Sequence, residues 1–586
     1  MGREPGTDGA TPAGPPRPAS FAHLLTLVGA FAFWAWWDRG LWFFGDEWDF
    51  LVQRGLWHLP ANRASIWFPH NEHWSTLPIL LWRALFNIFH LSSYWPYIVP
   101  VLVLHVGIMH LCWRLSLRAR VPAWVAVAAV GLLGFLGAGA ENLTWAFQVG
   151  FVGSVFFGLL AMELLDAYRL AANRRRLVYA CLALVASLMC STIGDAMLVG
   201  TAVLAAARLP RRKALWVIGP PLVAYAVWFA AVGRLGISAH SDQFSLAEVS
   251  GVPNYIWTGL ASALGQTFNF PSAGAALLVG AGGWTAYHGR HLWARHPALV
   301  GLGAAALAFY ALAALGRDTS TVDAGVSRYV YVAMALLVPL IGKLLGPRRA
   351  SAGAVVGAVA LLALTALGNL GQAQSWAAGR VALTSASKVQ VLATARLLGT
   401  GVHYVSGPQA PPIGALPNLL AGPLEDLQRS HLLPNSPVSA YDLINARTAL
   451  AVGTWNGSVT ALTRKPLSSG RFRYEKSTFS VASSQPGGCL ALAPVSTDPV
   501  QIWLRLAPGE GSASLRVISP PAATGTVNYL AAVLVPPQGP TTSVPLELVV
   551  PHKGKGYLSD NDPEAELVVT WNEGTPVTLC GLSGPS

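Results

Sequence analysis

The sequence predicts a polytopic α-helical membrane protein of about eleven transmembrane helices, followed by an extracytoplasmic domain that ends in a β-sandwich. Three observations predict this fold. Of the 586 residues, 53% are hydrophobic and only 11% are charged, whereas about 25% of a typical soluble domain is charged. Apolar windows near 20 residues recur from Phe21 to Leu370 and then stop. Short apolar alternations separated by Gly, Pro, Asn and Asp begin only near Gly470.

The membrane region follows from these apolar windows, each long enough to cross about 30 Å of hydrocarbon. The fifth and sixth are short and also fit a single broken hairpin. Residues 1–20 are rich in Pro and Gly and are predicted to form a disordered cytoplasmic tail. No small-residue cleavage site follows the first window, which is therefore predicted to stay as a helix. The eleven windows within the predicted domain 21–370 are 21–43, 94–113, 121–139, 149–168, 177–191, 194–207, 214–233, 271–287, 297–316, 329–345 and 351–370.

Charge in the connecting loops predicts the orientation of these helices. Alternate loops hold 16 basic residues and no acidic one, which predicts that they are cytoplasmic. The opposite loops carry nearly all of the acidic residues of this half and are predicted to face outward. The net charge of +12 therefore reflects the orientation of the helices. The sequence has no basic stripe interleaved with aromatic residues, so we do not expect nucleic acid as a partner. We predict a multi-pass plasma-membrane protein with a cytoplasmic N-terminus.

The remainder of the chain is predicted to be extracytoplasmic. Residues 371–470 mix helical stretches with Pro-rich turns and are predicted to form a mixed α/β linker region. Residues 471–586 are predicted to form the β-sandwich, with carbohydrate binding as one role. Cys489 and Cys580 both lie in this domain. In an oxidising compartment they either form a disulfide or remain two unpaired thiols.

The first outer loop, Gly45 to Leu77, is the densest in chemically active residues. It begins with "GDEWD", in which Asp46 and Glu47 follow the first helix, and it later contains "HNEH", which supplies His70, Asn71, Glu72 and His73. Neighbouring carboxylates disfavour one another's ionisation, and a cation or a substrate proton relieves that repulsion. Carboxylates with one or two imidazoles suit Mg or Mn.

We therefore predict a divalent cation at Asp46 and Glu72, with His70, Asn71 and His73 near the donor or acceptor. The alternative is a loop whose charges are simply solvated. Ten of the 22 Trp residues lie between positions 34 and 95. They favour an aromatic belt at the lipid headgroups, with stacking surfaces for sugar rings as the second interpretation.

Two later outer segments add candidate binding residues. "GAGAENLTWAFQVG" contains Glu141 and Gln148 in a Gly/Ala-rich stretch that can re-enter the membrane. The segment before the tenth helix contains Arg328 and Tyr329. An arginine at that depth can hold a phosphate through two hydrogen bonds. The alternatives are a carboxylate wetted by headgroups for Glu141 and a snorkelling side chain for Arg328.

This arrangement resembles the GT-C superfamily of integral membrane glycosyltransferases, which includes protein O-mannosyltransferases, aminoarabinose transferases and actinobacterial cell-wall arabinosyltransferases. The resemblance rests on the helices of residues 21–370 and on "GDEWD" just after the first helix. It implies that Asp46 is the general base or acceptor-hydroxyl anchor and Glu47 its partner. It also implies a metal-binding acid later in the loop, matched by Glu72, and a donor-phosphate arginine, matched by Arg328.

The resulting hypothesis is an inverting hexosyl- or pentosyltransferase, acting outside the cell on a polyprenyl-phosphate sugar and on a glycan, lipid or protein hydroxyl of the envelope. No Walker A or dinucleotide-binding glycine motif occurs. Two alternatives stay open. One is a transporter or flippase of envelope lipids, which predicts charges at mid-membrane and internal repeats. The other is a non-catalytic envelope protein whose sandwich binds glycan.

Overall fold

The structure is a computed structural model of the full chain. It describes the backbone of residues 15–52, 54, 66–168, 173–236, 246–316, 322–346, 352–399, 419, 421–438, 442 and 446, and of seven strands after residue 478. Side chains are described over the same ranges except at 52, 236, 246–248 and 352–363 and in the strands. Internal contacts divide the chain into two units, Met1–Ser385 and Ala386–Ser586.

Helices dominate the first unit, as the long apolar runs of the sequence require. Because backbone groups cannot be left unpaired in hydrocarbon, such runs form helices that satisfy their own hydrogen bonds. The helices of this unit are α1 Arg17–Trp37, α2 Glu47–Val52, α3 Thr76–Phe89, α4 Trp95–Arg118, α5 Ala123–Gly134, α6 Val149–Tyr168, α7 Arg174–Leu188, α8 Ile193–Arg208, α9 Arg211–Ala231, α10 Leu246–Thr267, α11 Gly274–Tyr287, α12 Gly289–Arg295, α13 Pro297–Gly316 and α14 Ser327–Leu345. Helix α15, Ala352–Leu398, extends into the second unit, and α16, Ala421–Arg429, belongs to the second unit.

Several of these helices can cross a membrane. Within the described residues, six segments are long and apolar enough by length and composition: Arg17–Gly40, Trp95–Arg118, Ala146–Tyr168, Arg211–Ala231, Pro297–Gly316 and Ser327–Leu345. These segments support the prediction of a multi-pass membrane protein. Each of the eleven predicted windows overlaps a helix, but the number eleven and the orientation of the helices stay predictions.

Two boundaries in the predicted membrane region are wrong. Residues 234–270 were predicted as an outer loop, yet α10 occupies most of them. Its Tyr255 hydroxyl donates to the carbonyl of Val322, and its Gln266 amide donates to that of Gly325. Because residues eleven apart on one helix reach the same short segment, α10 lies across the ends of α13 and α14. The last window was predicted to end at 370, whereas α15 continues to Leu398 and crosses the predicted start of the linker region.

An ion-pair network joins α4, α6 and α8. It lies at the helix ends that are next to the basic loops, which are predicted to be cytoplasmic. Glu163 is buried and lies 2.8 Å from the Arg114 guanidinium and 2.5 Å from that of Arg118. Asp166 on the next turn interacts with Arg118 and Arg208 at 3.9 and 3.7 Å. Glu163 and Asp166 are the two acids that the sequence places inside the sixth helix. Their partners explain how that helix accommodates them.

The second unit contains all seven strands, which pair in an antiparallel manner. The strands are β1 Phe479–Gln485, β2 Cys489–Pro494, β3 Val500–Arg505, β4 Ala513–Ile518, β5 Val544–Leu548, β6 Glu566–Trp571 and β7 Val577–Cys580. A five-stranded sheet has the order β1-β2-β7-β4-β5, and β3 pairs with β6. Strands were predicted here, while their packing as a sandwich stays a prediction.

Cys489 and Cys580, for which the sequence leaves a disulfide and two unpaired thiols as alternatives, lie at the ends of two paired strands. In the register of β2 and β7, Leu490 lies opposite Leu579. Continuing that antiparallel register by one residue sets the Cys489 backbone opposite that of Cys580. The side chains of both cysteines lie outside the described residues, so both alternatives stay predictions.

Candidate active site

The "GDEWD" motif forms the tight turn that leads into α2. Gly45 has a φ of +56°, a left-handed conformation that favours glycine, and a Cβ there would lie 3.3 Å from the Trp145 ring. Asp46 precedes the first residue of α2, and its carbonyl accepts from the amides of Asp49 and Phe50. Asp46 is half-buried, whereas Glu47 is completely buried. Asp46 and Glu47 therefore have different surroundings, with Asp46 the more accessible.

Glu47 joins three separate parts of the chain. One carboxyl oxygen accepts from the backbone amide of Phe44 at 2.7 Å. The other accepts from the Tyr94 hydroxyl at 2.6 Å and from the Phe147 amide at 3.2 Å. The Tyr94 hydroxyl in turn accepts from the amide of Ala146 at 2.8 Å. Glu47 thus fixes the first outer loop to the second, which lies about a hundred residues later.

Burial also controls the protonation of Glu47. Desolvation raises the pKa of its carboxyl to about 8, although the hydrogen bonds from Tyr94, Phe44 and Phe147 and the positive charge of Arg380 lower it. The group is therefore mostly protonated at neutral pH. Three donors hold this acid against its neighbours, and Asp49 is buried as well, so Asp46 is the most accessible acid of the motif.

The second outer loop carries an ion pair to the start of α14. Glu141 is 8% exposed, and one of its oxygens lies 3.0 Å from the Arg328 guanidinium. Its other oxygen accepts from the Arg328 backbone amide at 3.2 Å, and the Asn142 amide donates to the carbonyl of the same arginine. Glu141 therefore binds Arg328 through both side chain and backbone. The structure brings together these two predicted residues, which are 187 positions apart.

Buried contacts fix the position of this loop. The Asn369 side chain on α15 accepts from the amide of Gly137 at 3.0 Å and donates to the carbonyl of Thr267 at 2.7 Å. A Cβ at Gly137 would lie 2.1 Å from the Asn369 carbonyl oxygen, and one at Gly139 would lie 2.9 Å from the Tyr331 side chain. The two glycines thus allow the loop to pack directly on α15 and α14.

A second arginine, which was not predicted from the sequence, lies near both predicted outer loops. Arg380 on α15 lies with its guanidinium carbon 4.6 Å from the ring centre of Phe44 and 5.5 Å from that of Trp145. Burial lowers the pKa of Arg380, and the nearby Glu141 and Glu47 counteract this. A Cβ at Gly40 would lie 2.8 Å from Val381, so α15 passes close to the end of α1.

The "HNEH" residues form a small turn beside the same loops. The backbones of His70 and His73 exchange two hydrogen bonds of 3.0 Å, and Asn71 is exposed in the turn with a φ of 52°. The ring centres of His70 and Phe147 lie 5.1 Å apart. His73 lies 2.9 Å from the Thr192 hydroxyl and 3.7 Å from Glu72. His70 thus touches the second outer loop, whereas His73 and Glu72 face the start of α8.

Two predicted binding residues are buried. Gln148 is 3% exposed, and its carbonyl oxygen has no hydrogen-bond partner among the residues that the structure describes. Tyr329 packs edge-on against Phe309, and the Arg328 guanidinium lies 5.7 Å from its ring centre. Gln148 directly follows Phe147, whose amide donates to Glu47. The Tyr329 ring packs near the guanidinium of Arg328.

The divalent cation predicted at Asp46 and Glu72 stays a prediction. Within the described part of the chain, no group of three or more His, Cys, Asp or Glu side chains lies close enough to hold an ion. Glu72 contacts the neighbouring His73 imidazole.

Comparison with solved structures finds a likeness to the archaeal oligosaccharyltransferase AglB from Archaeoglobus fulgidus, in complex with an inhibitory peptide and a dolichol-phosphate. The two chains are 16% identical with a TM-score of 0.36, and the match covers 62% of this chain and 56% of that one. This chain therefore matches little more than half the length of its neighbour. No protein-family model and no curated protein matches the chain.

Proposed function

We propose that the chain is a membrane glycosyltransferase that moves a sugar from a polyprenyl-phosphate donor to a hydroxyl acceptor at the predicted outer face. The observation that carries this proposal is the convergence of three distant segments. The Asp46 loop is hydrogen-bonded to the second outer loop, the second loop is ion-paired to Arg328, and Arg380 faces both. Asp46 lies on the loop whose Phe44 ring contacts Arg380, and a carboxylate near a cation suits proton removal next to an anionic leaving group.

In the proposed reaction, Asp46 takes the proton of the acceptor hydroxyl as its oxygen attacks the anomeric carbon. The bond from that carbon to the phosphate oxygen breaks, and the prenyl phosphate leaves with the electron pair. A single displacement of this kind inverts the anomeric centre. Glu47 acts as a positioning residue, because its buried carboxyl holds the turn that presents Asp46.

The acceptor is proposed to be an envelope glycan, lipid or protein hydroxyl, and the sugar a hexose or pentose. The "WWDYG"-type signature of oligosaccharyltransferases is absent from the sequence, which argues against transfer of a preassembled oligosaccharide to asparagine. The bacterial cell-wall role stays part of the proposal. The flippase alternative gains little support from Glu163 and Asp166, because arginines at the end of their helix neutralise both.

The test is transfer by the purified full chain from polyprenyl-phosphate sugars to a mixed set of envelope acceptors. Asp46→Asn should reduce kcat by about 10²-fold or more, while Asp323→Asn, an exposed carboxylate of a predicted outer loop, should leave it unchanged. Both variants should elute and melt like the wild type. Transfer that survives Asp46→Asn would show that this acid is not the base. Donor movement across vesicles without transfer would favour the flippase.

A further inference from the structure

Arg380 differs from the other arginine of the site in having no carboxylate partner. Among the residues that the structure describes, its guanidinium makes no ion pair and no hydrogen bond. Its contacts are the faces of Phe44, Trp145 and Trp376, with ring centres at 4.6, 5.5 and 5.8 Å. The side chain is also partly buried, so these rings replace part of its water shell.

Arg328 already pairs with an anionic group of the protein. Its guanidinium lies 3.0 Å from Glu141, and its backbone amide donates to the second oxygen of the same carboxylate. The pair is neutral as a unit. The backbone amide of Glu141 also donates to the Ser327 hydroxyl, so an arriving phosphate would have to compete with a carboxylate that is held in place beside Arg328. Breaking such a pair is unfavourable because it leaves a buried charge unmatched.

We propose that Arg380 is the specificity-determining residue that binds the phosphate of the donor, and that Arg328 and Glu141 act as a pair that positions the second outer loop. This inference rests on the proposed function and deepens it. Stacking on aromatic faces leaves the edge of a guanidinium open, and that edge carries the N–H groups that match two phosphate oxygens. The rings therefore orient Arg380 without using its donors.

The charge of the site favours a particular class of phosphate. Arg328 and Glu141 cancel, and Glu47 is mostly neutral at pH 7 because its pKa is raised to about 8. Arg380 then contributes one positive charge, and Asp46, which the proposed reaction requires as a base, contributes one negative charge. A prenyl phosphodiester carries one negative charge, which Arg380 neutralises, whereas a diphosphate diester brings a second charge toward Glu141 and Asp46. The site is therefore suited to a monophosphate carrier.

The experiment measures binding with the full chain in nanodiscs of phosphatidylcholine, which supply no anionic lipid. The probes are farnesyl methyl phosphate, with one negative charge, and farnesyl methyl diphosphate, with two, so the unknown sugar is not needed. Dimethyl phosphate distinguishes a free phosphate from a prenyl-linked one. Calorimetry is run on the wild type, Arg380→Gln, Arg380→Lys and the double variant Glu141→Gln with Arg328→Gln. Arg39→Gln is the matched control, because Arg39 also stacks on a Trp ring, at 3.6 Å, but outside the site.

We expect Arg380→Gln to weaken binding of the monophosphate probe by about ten-fold or more, as for loss of one charged hydrogen-bonding partner. Arg380→Lys should restore part of the affinity, and Arg39→Gln should match the wild type. The neutral double variant should lose less affinity than Arg380→Gln, because it disturbs the second loop without removing the group that binds the phosphate. The diphosphate probe should bind no more tightly than the monophosphate, and dimethyl phosphate should bind more weakly than either.

Several results would overturn the inference. Wild-type affinity in Arg380→Gln would remove Arg380 from the binding site. A loss in the double variant as large as that in Arg380→Gln, with both folded by melting temperature, would assign the phosphate to Arg328. A diphosphate bound ten-fold more tightly would refute the charge match. Because these readouts need no transfer, Arg380-dependent binding in a chain without transferase activity would contradict only the proposed function.

Discussion

Replacing Glu47 by Gln tests whether a buried, protonated acid organises the outer loops. The carboxyl accepts three hydrogen bonds, from the Phe44 amide at 2.7 Å, the Tyr94 hydroxyl at 2.6 Å and the Phe147 amide at 3.2 Å. Glutamine keeps one acceptor oxygen but places an NH2 group where the other accepts. One donor then loses its acceptor in a site without solvent, which costs about 1–3 kcal/mol of unfolding free energy. Glu47→Ala leaves all three donors without their acceptor and should cost about 3–6 kcal/mol.

The same substitution should remove a pH dependence. The pKa of Glu47 is about 8 in the folded chain, against a reference value of 4.5. Between these values the folded state binds the proton and the unfolded state does not, so stability is complete at low pH and falls as pH rises. The slope is about 1.4 kcal/mol per pH unit for one group. Stability should therefore decline from pH 5 to about pH 8 in the wild type and less steeply in Glu47→Gln.

The assay is thermal melting of detergent-solubilised protein, followed by size-exclusion chromatography, from pH 5 to pH 9. Asp323→Asn serves as the control for simple loss of a carboxyl group, because this side chain is exposed. Tyr94→Phe should lower the melting temperature as well, since it removes a donor to Glu47 and an acceptor for Ala146. A Glu47→Gln protein with the stability and the pH profile of the wild type would refute this account of Glu47.

Three further predictions concern other parts of the chain. Glu163→Gln should destabilise the chain by about 3–5 kcal/mol, because two arginines lose a buried partner; the melting temperature of the purified protein measures this. Gly137→Ala should reduce transfer with little change in expression, because its Cβ would lie 2.1 Å from the Asn369 carbonyl oxygen and must displace the loop. Alkylation without reductant, read by peptide mass spectrometry, should leave Cys489 and Cys580 unmodified, and labelling of both would exclude the disulfide.

Local sequence patterns predicted the positions of the helices well. An apolar run of about 20 residues has one way to satisfy its backbone in hydrocarbon, so each predicted window overlaps a helix. α10 was missed because it contains Pro253 and lies across other helices, where a long uninterrupted apolar run is not required. The end of α15 was missed because hydrophobicity stops at the membrane surface, whereas helical hydrogen bonding continues past it.

The candidate site could be predicted only in part. "GDEWD", Glu141 and Arg328 were identifiable because charged residues are conspicuous in an apolar background. Tyr94 and Arg380 gave no such signal. The role of Tyr94 depends on a partner 47 residues earlier in the chain. That of Arg380 depends on the path of α15, which is set by packing and not by any pattern around residue 380.

The hydrogen bonds of Glu47 also set the order in which the site can assemble during synthesis. Its partner Phe147 is 100 residues downstream of Glu47. The ion pair of Glu141 needs Arg328, which is 187 residues downstream of Glu141. At a rate of about 5–20 residues per second, roughly 5–20 s pass before Phe147 follows Glu47 out of the ribosome. During that interval the Glu47 carboxyl lacks its partner in the second loop. The contacts around Glu47 and Glu141 are complete only when Arg380 on α15 has been made.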